Sequence, residues 1–230
     1  MKLLGLIGGT SWHSTVVYYR MINEEVGKHI GSHANPPLLL YSLNVELMRA
    51  QDWERINAAY LEIALKLQNA GAKGILICAN TPHIVYDYVQ PKLDIPILHI
   101  ADAIGQQALS LGLKTLGLLG TKPTMTRGFL SEHLAEHFGI ATLIPGERDI
   151  PKVHHYIAAE LTQGQFTAEA RDFYKEQMEI LKSKGAEGII LGCTELPLLL
   201  DQDDFDLPLL ATTQLHVAMA VEFILANEKE

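Results

Sequence analysis

Two cysteines, each placed where an apolar run ends, are the side chains of this sequence best suited to acid–base chemistry. Cys78 lies in ILICANTPH and Cys193 in IILGCTELP. A thiol has a reference pKa of about 8.5, and nearby positive charge or a helix N-terminus lowers it, so thiol and thiolate can coexist near neutral pH. The chain holds only 2 cysteines. This number favours free thiols over a disulfide and leaves too few ligands for a structural zinc site, so we expect no metal.

Short apolar runs that alternate with amphipathic stretches predict the elements that position these thiols. Both faces of the runs are apolar, which is typical of buried strands in parallel sheets. The predicted strands are 3–7, 38–41, 75–78, 97–99, 116–119, 142–144, 189–191 and 209–210. Helical spacing covers 52–70 and 173–184, with Asp52 as an N-cap and with Gly71 and Gly185 as C-caps. This alternation predicts an α/β fold in which helices cover parallel sheets.

An internal repeat predicts that the chain forms two related lobes. GAKGILICANT, from Gly71, matches GAEGIILGCTE, which starts 114 residues later. KLLGLIGGT, from Lys2, matches KTLGLLGT, and DIPILHIAD, from Asp94, resembles DLPLLATTQ, each 112 residues later. Three segments in one order at nearly one offset indicate two pseudo-symmetric lobes. We predict a first lobe of residues 1–101 and 212–230 and a second of 102–211.

The register of the repeat distinguishes the two cysteines. Cys193 aligns with Ala79, whereas Cys78 aligns with Gly192. Successive strand residues point to opposite sides, and ligands of such folds bind where the carboxyl ends of the strands meet. We therefore expect Ala79 and Cys193 to face one cleft between the lobes and Cys78 to be a small buried residue of the first lobe.

Several motifs follow one another in an order that is specific to one family. They are GLIGGTSWHSTVVYYRMIN, ANTPH, LLGTKPTM, AAELTQGQFT just after Lys152, GCTE, and TTQLH. Together they resemble the aspartate/glutamate racemase family, PLP-independent enzymes with two pseudo-symmetric lobes. The resemblance covers nearly the whole chain and implies two catalytic cysteines, one before the Asn of NTxH and one in GCTE. Here the second position is Cys193 and the first is Ala79, in agreement with the repeat.

The chemistry implied by the resemblance needs an acid and a base on opposite faces of the substrate. A proton leaves one face of the α-carbon and another returns to the opposite face. Charge developing on the carboxylate can be stabilised by backbone N–H groups after parallel strands, without a cofactor. By resemblance, Lys152 receives the side-chain carboxylate, which suits a protein of net charge −9. The residues predicted to contact the substrate are Thr10, Ala79, Asn80, Thr81, Thr121, Thr124, Lys152 and Thr194.

Each of these residues also has a structural interpretation. Asn80 and Thr81 could cap a turn, Thr121 and Thr124 could be a turn residue and an N-cap, and Lys152 could be a surface lysine. Arg49 lies near the position of a second side-chain-binding arginine of the family. His83 is a possible second proton carrier, but His83 and His216 are better interpreted as structural.

Three functions remain open at this point. The first is a racemase of acidic amino acids in which Cys193 is the thiol acid–base group and a water held by Thr81 or His83 serves the opposite face. The second is a one-base decarboxylase or isomerase of the same superfamily. The third is a non-catalytic binder of small dicarboxylates. Retention of GCTE and Lys152 disfavours the binder, and the extent of the resemblance favours the racemase. Whether Ala79 is natural or engineered stays open.

Composition excludes several other classes. The sequence has 230 residues, of which 48% are hydrophobic, so it can bury a substantial core. A net charge of −9 without a run of Lys or Arg argues against nucleic-acid binding. No apolar segment approaches the roughly 20 residues of a membrane span, and the first apolar run is too short for a signal peptide. We expect a cytoplasmic protein without a cofactor, and the resemblance suggests a homodimer.

Overall fold

The chain folds into two compact α/β units, each built on a four-stranded parallel sheet. The first unit comprises Met1–His99 with His216–Glu230, and the second comprises Ile100–Leu215. This computed structural model describes residues 1–31 and 33–226. The predicted fold class, parallel sheets flanked by helices, is confirmed.

The strands and helices alternate along both units. The strands are β1 (Leu4–Gly8), β2 (Leu38–Ser42), β3 (Gly74–Ile77), β4 (Ile97–Leu98), β5 (Thr115–Gly120), β6 (Ala141–Leu143), β7 (Gly188–Gly192) and β8 (Leu209–Ala211). The helices are α1 (Trp12–Ile30), α2 (Glu46–Arg49), α3 (Trp53–Asn69), α4 (Tyr86–Val89), α5 (Ile100–Ser110), α6 (Lys122–Thr126), α7 (Ser131–Phe138), α8 (Ile150–His155), α9 (Ala168–Ser183), α10 (Leu196–Leu199) and α11 (Thr212–Leu225). Short 3-10 turns are Thr81–Val85, Gln90–Lys92, Leu161–Gln163 and Gln202–Asp204, and a π-helical turn, Tyr156–Glu160, follows α8. Within the described ranges, none of the helices combines the length and the apolar character that crossing a membrane requires.

The two sheets have the same topology, which confirms the internal repeat. Their strand orders are β2-β1-β3-β4 and β6-β5-β7-β8. Leu4 of β1 pairs with Gly74 of β3, and the equivalent pair in the second sheet is Leu116 with Gly188. All eight predicted strands are present, with ends that differ by at most one residue.

The helix limits follow from their caps. The Asp52 side chain accepts a hydrogen bond from Arg55 N and begins α3, as predicted. At the other end of α3, Ala70 is the C-cap and Gly71 follows it with a φ of +99°. For the predicted helix 173–184, which is α9, the predicted start at residue 173 was wrong. The Thr167 side chain accepts from Ala170 N and starts α9 at Ala168, because a side-chain oxygen satisfies an orphan N–H of the first turn.

The sheet of the first unit separates two apolar cores. Leu4 and Leu6 of β1 lie on the side of α1 and α11, whereas Ile7 lies on the side of α3. Cys78 belongs to the α1 and α11 side, where it is 2% exposed. The prediction that Cys78 is a small buried residue is confirmed.

Strand β2 differs from its prediction as a buried strand. Leu40 is 48% exposed and Tyr41 is 38% exposed, so the prediction of burial for residues 38–41 was wrong. The reason is position in the sheet. β2 is an edge strand that pairs with β1 alone, and an edge strand receives less cover than central strands with the same apolar composition.

Candidate functional site

The carboxyl ends of β1 and β3 bring four of the predicted substrate contacts to one edge of the first sheet. Ile7 pairs with Ile77, so the residues that follow these strands are neighbours. They are Thr10 after β1, and Ala79, Asn80 and Thr81 after β3. Thr10, Ala79 and Thr81 are partly exposed, whereas Asn80 is 7% exposed.

A glycine turn holds Thr10 at this edge. Gly9 has a φ of +92°, and a Cβ atom there would collide with the backbone of Leu43. The Gly9 N–H donates to Thr15 Oγ1 at 3.0 Å, and Gly8 O accepts from Leu43 N at 3.0 Å. Only glycine combines this positive φ with this close backbone approach.

Tyr60 is a partner of Thr10 that sequence analysis missed. The Tyr60 hydroxyl lies 2.9 Å from Thr10 Oγ1, and Tyr60 is fully buried. Burial raises the pKa of the Tyr60 phenol well above its usual value, although the hydrogen bond to Thr10 opposes this effect. The phenol therefore stays neutral at any physiological pH. Tyr60 lies on α3, 50 residues away along the chain, and the local sequence pattern does not predict its contact with Thr10.

Two side chains anchor the loop that carries Ala79. Ser14 Oγ donates to Cys78 O at 2.8 Å. His83 Nδ1 lies 2.9 Å from Ala79 O and 3.1 Å from Asn80 O, and His83 is 1% exposed. Because a carbonyl oxygen only accepts, these contacts assign a ring proton to Nδ1. They support the structural interpretation of His83.

His216 is also structural. Its Nε2 donates to Leu98 O at 2.8 Å, which leaves Nδ1 to accept from the Tyr18 hydroxyl at 3.0 Å. Burial, with a further contribution from nearby His83, lowers the pKa of His216 to about 3. A neutral, fully buried imidazole with both nitrogens engaged is a poor proton carrier near neutral pH.

The second sheet presents the symmetry-related set of residues. Gly120 pairs with Gly192, so Thr121 and Cys193 follow neighbouring strands. Thr121 Oγ1 lies 3.0 Å from Thr124 Oγ1. Thr124 is 2% exposed within α6, so its predicted alternative as an N-cap was wrong. Thr121 precedes α6 at the cap position without a side-chain cap bond.

Cys193 contacts a carboxylate. Its Sγ donates to Glu195 Oε2 at 2.8 Å, and Thr194 Oγ1 donates to the same oxygen at 2.7 Å. Burial first, and then the charge and hydrogen bond of Glu195, raise the pKa of the Cys193 thiol well above its usual value. Hydrogen bonds from the backbone of Glu195 and Thr194 act in the opposite direction and are outweighed. Burial and the neighbouring Glu195 carboxylate therefore act against the lowering of the thiol pKa that a nearby cation or a helix N-terminus would produce.

Lys152 lies on α8 with an exposed side chain. Its ammonium is 4.5 Å from the centre of the Phe173 ring and 5.6 Å from that of Tyr156, an arrangement of cation–π type. The next residue, Val153, accepts a 2.7 Å hydrogen bond from the buried Tyr174 hydroxyl. Arg49 is exposed at the end of α2 in the first unit.

Comparisons with known proteins agree on one family. The profile of the Asp/Glu/hydantoin racemase family matches residues 7–220. The chain is 23% identical to the broad specificity amino-acid racemase RacX of Bacillus subtilis, over 98% of this chain and 100% of that protein. A Yersinia pestis protein provisionally described as an Asp/Glu racemase has a crystal structure with a TM-score of 0.93 and 38% identity, covering 98% of this chain and 100% of that one. PH1733 from Pyrococcus horikoshii OT3, an aspartate racemase homologue, has a TM-score of 0.85 and 33% identity, covering 97% and 99%.

Proposed function

The chain belongs to the Asp/Glu/hydantoin racemase family, and we propose that it interconverts the enantiomers of acidic amino acids without PLP. The observation that carries this proposal is the Cys193 thiol at the carboxyl end of β7, in hydrogen-bond contact with Glu195. Such a dyad can remove a proton from an α-carbon without a cofactor. Backbone N–H groups and the hydroxyls of Thr10, Thr81, Thr121, Thr124 and Thr194, together with Asn80, are the proposed substrate contacts.

Glu195 is the proposed acceptor of the proton that the Cys193 thiol, with its raised pKa, still carries at neutral pH. At neutral pH Cys193 holds its proton, so it must lose that proton before it can act as a base. Glu195 Oε2 accepts the thiol proton, Cys193 Sγ then takes the proton from Cα, and the electron pair left on Cα spreads into the substrate carboxylate. Because the thiolate forms only as it is used, burial does not have to support a permanent charge.

The opposite face of the substrate needs a proton donor, and no thiol is available for it at position 79. We propose that a water bound by the Thr10 hydroxyl, which contacts Tyr60, gives this proton, in place of the water expected at Thr81 or His83, and that the hydroxide left behind takes a proton from solvent. A neutral water donates a proton better than it accepts one. The two directions of reaction should therefore differ in kcat and in KM separately. The ratio kcat/KM must be equal for both directions, because free enantiomers have equal energies.

The acidic substrate class rests on Lys152. A dicarboxylate brought to a protein of net charge −9 needs a local cation, and the exposed ammonium of Lys152 can leave the Phe173 ring to provide it. Replacing Lys152 with Met should lower kcat/KM for aspartate or glutamate by roughly 10- to 150-fold, which corresponds to the loss of about 1.5–3 kcal/mol from a charged hydrogen bond. The exposed Lys184 supplies the matched control, Lys184→Met. RacX is a broad specificity enzyme, so neutral amino acids belong in the same assay.

A one-base decarboxylase or isomerase is the second candidate. The observation that favours it is Ala79, together with the burial of Cys78, because these leave the edge of the first sheet without an available thiol. Such an enzyme would protonate one face of an enediolate and never need the other.

The decisive experiment follows L- and D-aspartate and glutamate in deuterated water, scoring solvent exchange, inversion and release of CO2. The racemase predicts both exchange and inversion in the wild type and in Cys78→Ala, and neither in Cys193→Ala. Release of CO2 would favour the decarboxylase. Binding without exchange would leave the non-catalytic binder and contradict the proposal.

A further inference from the structure

Three aromatic side chains form a buried cluster in the second unit. Phe173 and Tyr174 lie on α9, and Tyr156 lies in the π-helical turn that follows α8. The ring centres are 5.3 Å apart for Tyr156 and Phe173, 5.8 Å for Phe173 and Tyr174, and 6.2 Å for Tyr156 and Tyr174. These distances are typical of favourable aromatic pairs, so the rings pack on one another. We call these three residues the aromatic cluster.

Hydrogen bonds fix the aromatic cluster between α8 and α9. The Tyr174 hydroxyl donates to Val153 O at 2.7 Å, and the Tyr156 hydroxyl donates to Glu169 Oε1 at 2.9 Å. All three rings are buried, and Phe173, the most accessible of them, is 8% exposed. Because close packing and these bonds leave the rings little freedom, their faces keep one orientation toward α8.

Lys152 places its charge against the aromatic cluster. Tyr156 follows Lys152 by four positions, so the two side chains lie on the same side of the helix. The Lys152 ammonium is 4.5 Å from the centre of the Phe173 ring and 5.6 Å from that of Tyr156. Both distances are within the range of cation–π attraction. Within the part of the chain that the structure describes, Lys152 forms no ion pair.

A second lysine of the same unit, Lys182, has both kinds of partner. Its ammonium lies 5.7 Å from the centre of the Phe205 ring and 2.7 Å from Asp206 Oδ2. Among the described residues, the charge of Lys152 therefore has aromatic partners only, whereas that of Lys182 also has a carboxylate.

We propose that Phe173 is a positioning residue that sets the preference of the enzyme between acidic and neutral amino acids, because its ring competes with the substrate for the Lys152 ammonium. This inference rests on the proposed function. An acidic substrate binds Lys152 only after the ammonium has left the ring, so the new ion pair replaces an attraction that the free enzyme already had. A neutral substrate leaves the ammonium at the ring, and the cation–π contact is the same before and after binding.

The ring should therefore disfavour acidic substrates and have no effect on neutral ones. A cation–π contact at an exposed site is strong enough to change a binding constant roughly 2- to 5-fold. Loss of the ring should improve the binding of aspartate and glutamate by that factor. A residue with a merely structural role would instead weaken the activity on both classes alike, because a distorted site serves neither.

The test compares Phe173→Leu with the wild type on two pairs of substrates of nearly equal size, aspartate with asparagine and glutamate with glutamine. KM for the two acids should fall roughly 2- to 5-fold with kcat unchanged. Asparagine and glutamine, scored as substrates or as competitive inhibitors, should bind as before. Phe173→Tyr keeps the ring face and should keep the wild-type preference. Phe205→Leu is the matched control, because Phe205 is also 8% exposed and also lies near a lysine.

The lysine itself supplies a second test. In the Lys152→Met background, Phe173→Leu should leave the relative binding of aspartate and asparagine unchanged, because the ring then has no ammonium to hold. A preference that still shifts in this background would overturn the role of Phe173 and leave the proposed function intact. The same holds for a KM for aspartate that stays the same or rises in Phe173→Leu, and for an equal change in both substrate classes. A wild type that racemises no amino acid would overturn both.

Discussion

The carboxylate of Glu195 has two opposing effects on Cys193. Its charge and its acceptor oxygen raise the thiol pKa, which disfavours the thiolate, yet the same oxygen is the proposed acceptor of the thiol proton. Glu195→Gln should therefore lower the pKa of Cys193 while reducing turnover by about 10²- to 10⁴-fold, the scale of a positioned proton-transfer group.

The two effects can be measured separately in that variant. Alkylation rate against pH reports the thiolate, and it should rise at lower pH in Glu195→Gln than in the wild type. Burial raises the pKa of Cys78, so this buried thiol should contribute little to the measured alkylation. The variant Cys193→Ala is the control, because it measures the alkylation of Cys78 alone. Unchanged alkylation together with unchanged turnover would exclude Glu195 from the dyad.

Ala79 marks the position that separates this chain from a two-thiol enzyme. With Cys193 alone, solvent deuterium should enter one enantiomer faster than that enantiomer is inverted. Ala79→Cys should raise the inversion rate by about 10²- to 10⁴-fold where no other step limits. Ala79→Ser is the matched control, since it adds a hydroxyl of similar size. Equal exchange and inversion rates for both enantiomers of the wild type would refute the one-thiol account.

The sequence predicted where the candidate site residues lie along the strands, but it did not predict which side chains contact them. The alignment of the two repeats placed Ala79 and Cys193 at equivalent strand ends, because this alignment is contained in the sequence itself. The contact of Thr10 with Tyr60 joins two elements distant in sequence, and the orientation of Glu195 toward Cys193 depends on a rotamer. Neither has a signature in the local pattern. Whether the two strand-end loops share one substrate stays a prediction.

At the scale of elements, helix α9 depends on a cap. Thr167 Oγ1 accepts from Ala170 N at 3.2 Å, so Thr167→Ala should cost about 1 kcal/mol of unfolding free energy. This loss should lower the melting temperature by roughly 2–4 °C. Thr162→Ala is a suitable control, because Thr162 is exposed and its hydroxyl donates only to the preceding turn, at Ala158 O. A melting temperature shared by the two variants would contradict the role of the cap.

Apolar runs predicted the strands well, because buried parallel strands need no alternation of polar residues. The same property explains the error at β2, since a central strand and an apolar edge strand have the same composition. The start of α9 was placed five residues too late because Thr167, its N-cap, precedes a turn of small and charged residues, of which only Ala170 is buried. Burial and caps depend on neighbours that a linear pattern does not contain.

At the scale of the whole molecule, His216 links stability to pH. Its pKa is about 3 in the folded protein and near 6.5 when unfolded. Between these values the unfolded chain binds more protons, so stability is present above pH 6.5 and is lost as pH falls, by about 1.4 kcal/mol for each unit.

Urea unfolding at pH 7 and pH 4.5 measures this loss. His216→Gln should be less stable than the wild type at pH 7, and its disadvantage should shrink by about 3 kcal/mol at pH 4.5. The exposed His137 provides the control variant, His137→Gln. If the wild type and His216→Gln lose the same free energy of unfolding between pH 7 and pH 4.5, other groups cause the acid sensitivity.

The first unit is completed by residues 216–225 of α11, which follow the entire second unit along the chain. Val217, Ala220, Val221 and Ile224 of α11 cover the same core as Leu4 and Leu6, and Lys2 N donates to Ile224 O at 2.9 Å. A ribosome that adds about 5–20 residues each second needs roughly 6–23 s to translate Ile100–Leu215. During that interval the nascent first unit exposes an apolar face, and we expect it to be a client of holdase chaperones while the second unit already folds behind it.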